Sequence, residues 1–110
     1  MRQSGILAAA GLYALDHNVS RIAEDHANAK RFWEILSDSR TVRPSDPESN
    51  IVMVDLLGDG ATGEAASARL AAAGVRMSAY GPQRLRAVMH LDVTRADVER
   101  AARIILDVLR

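Results

Sequence analysis

The stretch RLRAVMHLDVTRAD, residues 84–97, joins a predicted strand to a predicted helix. Side chains of successive strand residues point to opposite faces, so residues 85–90 form two sets. One face carries Leu85, Ala87 and Met89, and the other carries Arg86, Val88 and His90. Thr94 followed three residues later by Asp97 is a capping-box pattern, which marks the start of a helix. This stretch therefore predicts a mixed fold in which the chain passes directly from sheet to helix.

Residues 18–36 predict an amphipathic helix. Asn18 or Ser20 can cap this helix. Its apolar face recurs at steps of three and four and contains Val19, Ile22, His26, Ala29, Trp33 and Leu36. The opposite face, expected to be solvated, contains Glu24, Asp25, Asn28 and Arg31. His26 is accordingly interpreted as a core or interface histidine.

The middle of the chain predicts two strands separated by a helix. Residues 43–49, which include two prolines, are interpreted as a loop. Residues 51–56 form a nearly continuous β-prone run, typical of a strand covered on both faces. Thr62 and Gly74 suit the two ends of the next helix, and residues 75–80 form the following strand. The predicted order is ααβαββα, an α+β fold with two α/β layers.

Residues 3–15 predict a first helix that is apolar on every face. Such a helix normally lies in the interior of something larger. We therefore expect residues 1–16 to pack on another domain or on a partner subunit, and residues 17–110 to form one α/β domain. At about 10 residues the apolar run is too short to cross a bilayer.

Composition excludes several classes of function. Fourteen basic and fourteen acidic residues cancel, which argues against partners such as nucleic acid or an anionic membrane. The chain has no cysteine, as is common for a cytoplasmic protein, and its three histidines are too scattered to indicate a metal site. Gly58 to Gly63 resembles a phosphate loop only superficially, because it lacks the lysine. Lys30 is the only lysine.

Five short motifs occur in order along the chain. They are MRQSGILAAAG at residues 1–11, EDHANA at 24–29, SNIV at 49–52, GV at 74–75 and RLRAVMHLDV at 84–93. Together they resemble the low-specificity L-threonine aldolases, which are pyridoxal-phosphate (PLP) enzymes with the aminotransferase-type fold. The resemblance implies the C-terminal small domain of that fold, preceded by an apolar linking helix. Since the family's large domain with its Schiff-base lysine has no counterpart here, we expect a fragment that is inactive by itself.

The resemblance also implies roles for particular residues. Arg86 matches the position that binds the substrate carboxylate, and His90 on the same face is a candidate second contact. A histidine at such a position is more commonly hydrogen-bonded within the fold. Arg2 matches a segment near the cofactor phosphate, although it could equally be a frayed terminal residue. Lys30 does not match the Schiff-base motif, so no catalytic residue is assigned, and Arg84 is expected on the opposite strand face from Arg86.

In the complete enzyme, the resemblance implies PLP-dependent cleavage of L-threonine or L-allo-threonine to glycine and acetaldehyde. PLP is not expected to bind this chain alone. Two other interpretations stay open. The chain could be a non-catalytic module that forms homo-oligomers through its apolar first helix, or the small domain of another PLP lyase such as a phenylserine aldolase.

Overall fold

Four helices and four strands make up residues 2–110, the part of the chain that this computed structural model describes. Met1, the first residue of the predicted apolar segment, lies outside the described residues. The helices are α1 (Ser4–His17), α2 (Ile22–Leu36), α3 (Gly63–Ala72) and α4 (Arg95–Val108). The strands are β1 (Val42–Pro44), β2 (Ile51–Leu56), β3 (Ser78–Ala79) and β4 (Arg84–Val88). The predicted α+β class is confirmed, and the observed order is ααββαββα.

The four strands form one antiparallel sheet in the order β1-β2-β4-β3. β2 and β4 lie at its centre, with Val52 opposite Ala87 and Met53 opposite Arg86. The interpretation of residues 43–49 as a loop was wrong at its beginning, because Pro44 pairs with Val54 in the edge strand β1. A proline is tolerated on an edge strand, where its missing N–H is not needed.

Helices cover only one face of this sheet. The core joins Val52, Val54, Leu85 and Ala87 of the sheet to buried residues of three helices. Those helix residues are Ala29, Phe32, Leu36, Ala66, Leu70, Val98, Ala102 and Ile105. The prediction that residues 51–56 are covered on both faces was wrong, since buried residues alternate with more exposed ones along β2. Antiparallel sheets commonly bury one face only.

Helix ends follow local sequence rules in most places. The Thr62 hydroxyl accepts a hydrogen bond from the Ala65 N–H at 3.2 Å. Thr94 and Asp97 form the predicted reciprocal capping box, and Gly74 has the left-handed backbone (φ 88°) expected after a helix. The predicted cap of α2 was wrong, because its N-cap is Arg21 with no side-chain cap. The predicted strand over residues 75–80 is reduced to two residues.

The buried face of α2 differs from the predicted one. Asp25 and Asn28, predicted to be solvated, are buried, whereas Ile22 and His26 are exposed. Arg21 holds the Asp25 carboxylate through two hydrogen bonds of 2.8 and 3.0 Å. The Asn28 amide donates to the Val93 carbonyl at 3.5 Å. Burying these polar groups is tolerated because each has a partner. His26 is exposed, so the core interpretation of this residue was wrong, and an interface role stays a prediction.

The first helix, α1, is confirmed, and none of its residues is buried. Its large apolar side chains, including Ile6, Leu7 and Leu12, are 59–72% exposed. Among residues 2–110, no helix combines the length and apolar character needed to span a membrane.

Gly63, the first residue of α3, lies against the turn between β3 and β4. Its N–H donates to the Pro82 carbonyl at 2.7 Å. A Cβ added here would lie 2.8 Å from the Gly81 carbonyl oxygen and 3.0 Å from that of Arg84. Both contacts are with backbone atoms, which cannot rotate away. The start of α3 can therefore approach the β3–β4 hairpin this closely only because residue 63 has no side chain.

Gly63→Ala should therefore lower the free energy of unfolding by about 1–3 kcal/mol, the usual cost of overpacking. Urea unfolding followed by circular dichroism measures this loss. Gly11→Ala is the matched control, because an added Cβ in α1 meets no atom within 4 Å. Equal stability of the Gly63 and Gly11 variants would contradict the close packing described for this turn.

Candidate functional site

The sheet face opposite the helices carries the candidate site. Strand register places Arg86 between Met53 of β2 and Ser78 of β3. The Tyr80 N–H donates to the Arg84 carbonyl at 2.8 Å, so Tyr80 extends the β3–β4 pairing by one residue. Since residues two apart along a strand share a face, Tyr80 lies on the same face as Arg86. We call the side chains of Met53, Asp55, Ser78, Tyr80, Arg84 and Arg86 on this side the open face.

Arg86 is a cation on the open face, and it forms no ion pair within residues 2–110. The residue is half-buried, and its Nε is buried without any hydrogen-bond partner there. Its Cζ lies over the Tyr80 ring, 5.2 Å from the ring centroid. A buried donor left without an acceptor is costly, which makes this guanidinium a strong candidate for binding an anion.

Arg84 differs from Arg86 although the two share a face. Its Nε and Nη2 donate to the two carboxylate oxygens of Asp55, at 2.5 and 3.0 Å. The hydrogen bond from Arg84 lowers the pKa of Asp55, and the same bond raises the pKa of Arg84. The expectation that Arg84 lies on the opposite strand face was wrong, because it is two residues from Arg86 along β4. Its donors, however, are already occupied.

His90 lies just beyond the end of β4 and is exposed. Its Nδ1 accepts a hydrogen bond from the Asp92 N–H at 3.3 Å. The residue lines a cavity of about 360 Å³ between the end of β4, the segment after α3, and α4. Arg86 does not line this cavity. The structure therefore does not bring Arg86 and His90 into one pocket.

Arg2 is exposed immediately before α1, and α1 contributes nothing to the core. The α1 N-cap, Gln3, makes no side-chain capping bond, and the N-terminal end of a helix is a general binding site for anions. Neither Arg2 nor Arg86 lines the cavity beside His90 or the cavity between α3 and the C-terminal end of the chain. A phosphate contact from Arg2 stays a prediction.

The amine of Lys30 is hydrogen-bonded within the fold. Its Nζ lies 2.9 Å from Asp46 and 4.0 Å from the centroid of the Trp33 ring. Gly58 to Gly63 forms a turn and the first residue of α3. Within residues 2–110, no three histidine, aspartate or glutamate side chains come together in a way that could hold a metal ion.

Tyr80 is the site residue that sequence analysis missed. It was assigned only to the predicted strand over residues 75–80. The signal that could have found it is hairpin pairing: a turn at residues 81–83 sets Tyr80 opposite Arg84, and therefore diagonal to Arg86. Diagonal neighbours in an antiparallel pair are within reach of aromatic and long side chains.

The fold places the chain in a structural class. A solved structure of MppP soaked with the product 2-ketoarginine superposes with a TM-score of 0.66 at 20% identity, over 87% of this chain and 30% of that one. An ornithine aminotransferase from Plasmodium yoelii superposes with a TM-score of 0.67 at 14% identity, over 86% of this chain and 26% of that one. At such identities the likeness concerns the fold alone, which is the small domain of the PLP aminotransferase-type fold.

Sequence comparison then gives the family. A family model of the beta-eliminating lyases matches residues 1–59, just over half of the chain. The chain therefore belongs to the beta-eliminating lyase family. The low specificity L-threonine aldolase of Escherichia coli K12 is 43% identical over 103 residues, covering 93% of this chain and 29% of that protein. A probable low-specificity L-threonine aldolase 2 from Arabidopsis thaliana is 36% identical over 102 residues, covering 90% and 29%. The chain thus spans about 29% of the length of these curated relatives.

Proposed function

We propose that this domain supplies the substrate-carboxylate arginine, Arg86, of a PLP-dependent carbon–carbon lyase of the threonine aldolase type. The substrate would be L-threonine or L-allo-threonine, cleaved to glycine and acetaldehyde. The observation that carries the proposal is the half-buried Arg86 guanidinium, whose Nε has no acceptor among the described residues. Similarity to threonine aldolases over 93% of the chain supports the choice of reaction.

The chemistry suits a guanidinium at this position. A planar guanidinium can donate two parallel hydrogen bonds to a carboxylate, which fixes the orientation of the amino acid as well as its position. Fixing that orientation holds the bond to be broken in a reactive alignment. PLP, when bound, supplies the electron sink for the cleavage. Arg86 contributes the grip on the carboxylate and no proton transfer.

The chain's own residues fit only part of a PLP site. Arg2, at the uncapped start of α1, suits a phosphate group. Lys30 does not suit covalent attachment of the cofactor, since its amine is paired with Asp46 and is remote in sequence from the open face. We therefore propose that the lysine and the large cofactor-binding domain come from outside these 110 residues.

The isolated chain should neither bind PLP covalently nor cleave threonine. Mixing it with PLP should give no visible absorbance band beyond that of free PLP, and a coupled acetaldehyde assay should give no turnover. A band that disappears in Lys30→Ala would contradict this expectation, because Lys30 is the only lysine. Lys30→Arg serves as the control, since it retains the positive charge next to Asp46 without a primary amine.

We propose further that α1 is covered by another polypeptide in the assembled protein. Leu7 and Leu12 are 59% and 63% exposed on a helix without a buried residue. Contiguous apolar patches of this kind mark interaction surfaces. In the absence of a large domain, a second copy of the chain offers the same apolar helix as a partner.

The chain should therefore self-associate at micromolar concentration through α1. Replacing Leu7 and Leu12 together by glutamine should shift sedimentation equilibrium towards the monomer, because polar side chains remove the apolar contact. Replacing the exposed residues Val19 and Leu91 by glutamine is the matched control and should leave association unchanged. A monomeric wild-type chain would show that α1 does not drive association between copies.

Arg86 can be tested in an enzyme completed with the large domain of a threonine aldolase relative. Arg86→Ala should leave the PLP absorbance intact while kcat/KM falls at least tenfold, because losing a desolvated charge-assisted pair costs about 2–5 kcal/mol. Arg86→Lys should recover little, because an ammonium cannot make the planar two-point contact. Steady-state kinetics with threonine and the PLP spectrum measure both effects.

Arg84→Ala is the matched control on the same strand face. Since the Arg84 donors are occupied by Asp55, its loss should cost stability more than activity. The assignment of the carboxylate contact would be wrong if Arg84→Ala abolished turnover while Arg86→Ala left it unchanged.

A further inference from the structure

We propose that Tyr80 is a positioning residue for Arg86: its ring holds the guanidinium by one face and leaves the terminal Nη donors free. The consequence for substrate binding rests on the function proposed above for Arg86. The contact between the Tyr80 and Arg86 side chains is independent of that function, and it can be tested in the 110-residue chain itself.

Register brings the two side chains together. Ser78 is directly opposite Arg86, and the Tyr80 N–H bonds to the Arg84 carbonyl at 2.8 Å. Tyr80 is therefore the diagonal neighbour of Arg86 on the open face, a position from which an aromatic side chain can reach it. The small side chain of Ser78 leaves that space open. The Arg86 Cζ accordingly lies 5.2 Å from the centroid of the Tyr80 ring, within the range of a cation–π contact.

The neighbouring pair, Arg84 and Asp55, shows why a ring suits this purpose better than a carboxylate. Asp55 fixes Arg84 by accepting from its Nε and Nη2, and so occupies donors that a ligand carboxylate could otherwise use. A ring contacts the face of a guanidinium and accepts none of those hydrogen bonds. An arginine held in this way is restrained and keeps its charge and its donors.

The residues directly opposite Arg86 offer it no counter-ion. Met53, its partner on β2, offers no acceptor comparable to a carboxylate. Within residues 2–110, Arg86 has no ion pair, and its Nε has no hydrogen bond. Without the ring, the long side chain would sample several rotamers and lose conformational entropy on binding an anion.

The first test measures the contact by NMR in the labelled chain. In the wild type, the Arg86 Hδ protons should be shifted upfield by the Tyr80 ring, and the Arg86 Nε–H should exchange slowly with water because it is buried. Tyr80→Phe keeps the ring and should preserve both properties. Tyr80→Ala should lose both, while the Arg84 Nε–H signal, fixed by Asp55, reports that the sheet is intact.

Tyr80→Leu covers the case in which alanine disturbs the hairpin and shifts the Arg84 signal as well. Leucine retains apolar volume without a ring, so the Arg86 Hδ shift should still move to its random-coil position. Arg86 signals that stay at wild-type values in the leucine or alanine variant would overturn the proposal. A Tyr80→Phe variant that behaves like Tyr80→Ala would also overturn it, because the hydroxyl and not the ring would then be responsible.

The second test uses the enzyme completed with a large domain. Loss of one exposed cation–π contact should raise KM for threonine about two- to fivefold in Tyr80→Ala, with kcat little changed and wild-type kinetics restored by Tyr80→Phe. An unchanged KM would overturn the role in substrate binding. Failure of the proposed function is distinguishable: Arg86→Ala would then leave kcat/KM unchanged even where the NMR contact is present.

Discussion

The sheet buries one of its faces and leaves the other without a helix across it in the described part of the chain, and this arrangement positions the candidate site. The central β2–β4 ladder sends Val52, Val54, Leu85 and Ala87 into the core against three helices. Because side chains alternate, the same ladder necessarily sends Met53 and Arg86 to the other side, where no described helix covers them. The candidate site is thus a direct geometric consequence of the core: moving the register by one residue would bury Arg86 and expose Leu85.

The open face separates two arginines of identical chemistry into different roles. Arg84 is neutralised by Asp55 in a two-point ion pair, which contributes little stability at an exposed position but consumes the guanidinium donors. Arg86, two residues further, meets a methionine on one side and a serine on the other, and a tyrosine ring covers it diagonally. Cross-strand partners, and not the arginines themselves, decide which cation is free to bind an anion.

Membership of the beta-eliminating lyase family and the short span relative to threonine aldolases agree with two surfaces of the domain. The α1 helix has no buried residue, and the open face holds a cation without a counter-ion among the described residues. Both features are unfavourable in an isolated domain, since exposed apolar surface and unpaired buried donors each cost free energy. Both features agree with the proposals that another polypeptide covers α1 and that Arg86 binds an anion.

Local sequence patterns alone predict the helix caps at Thr62 and Thr94, the left-handed Gly74, the burial pattern of β4 and the apolar character of α1. These follow from local rules of hydrogen bonding, backbone freedom and side-chain periodicity. The motifs shared with the threonine aldolases, which are also a property of the sequence, pointed to Arg86.

Other features depend on residues that are distant in the chain, and packing between elements sets them. Asp25 and Asn28 are buried because Arg21 and the Val93 carbonyl satisfy them, which apolar spacing cannot reveal. Pro44 joins the sheet because β2 lies beside it, and Tyr80 reaches Arg86 because the hairpin brings them to diagonal positions. A local pattern fixes where a side chain points along its own element. The contacts of that side chain are set by packing between elements. Here these contacts determine which of the two arginines, Arg84 or Arg86, keeps donors for an anion.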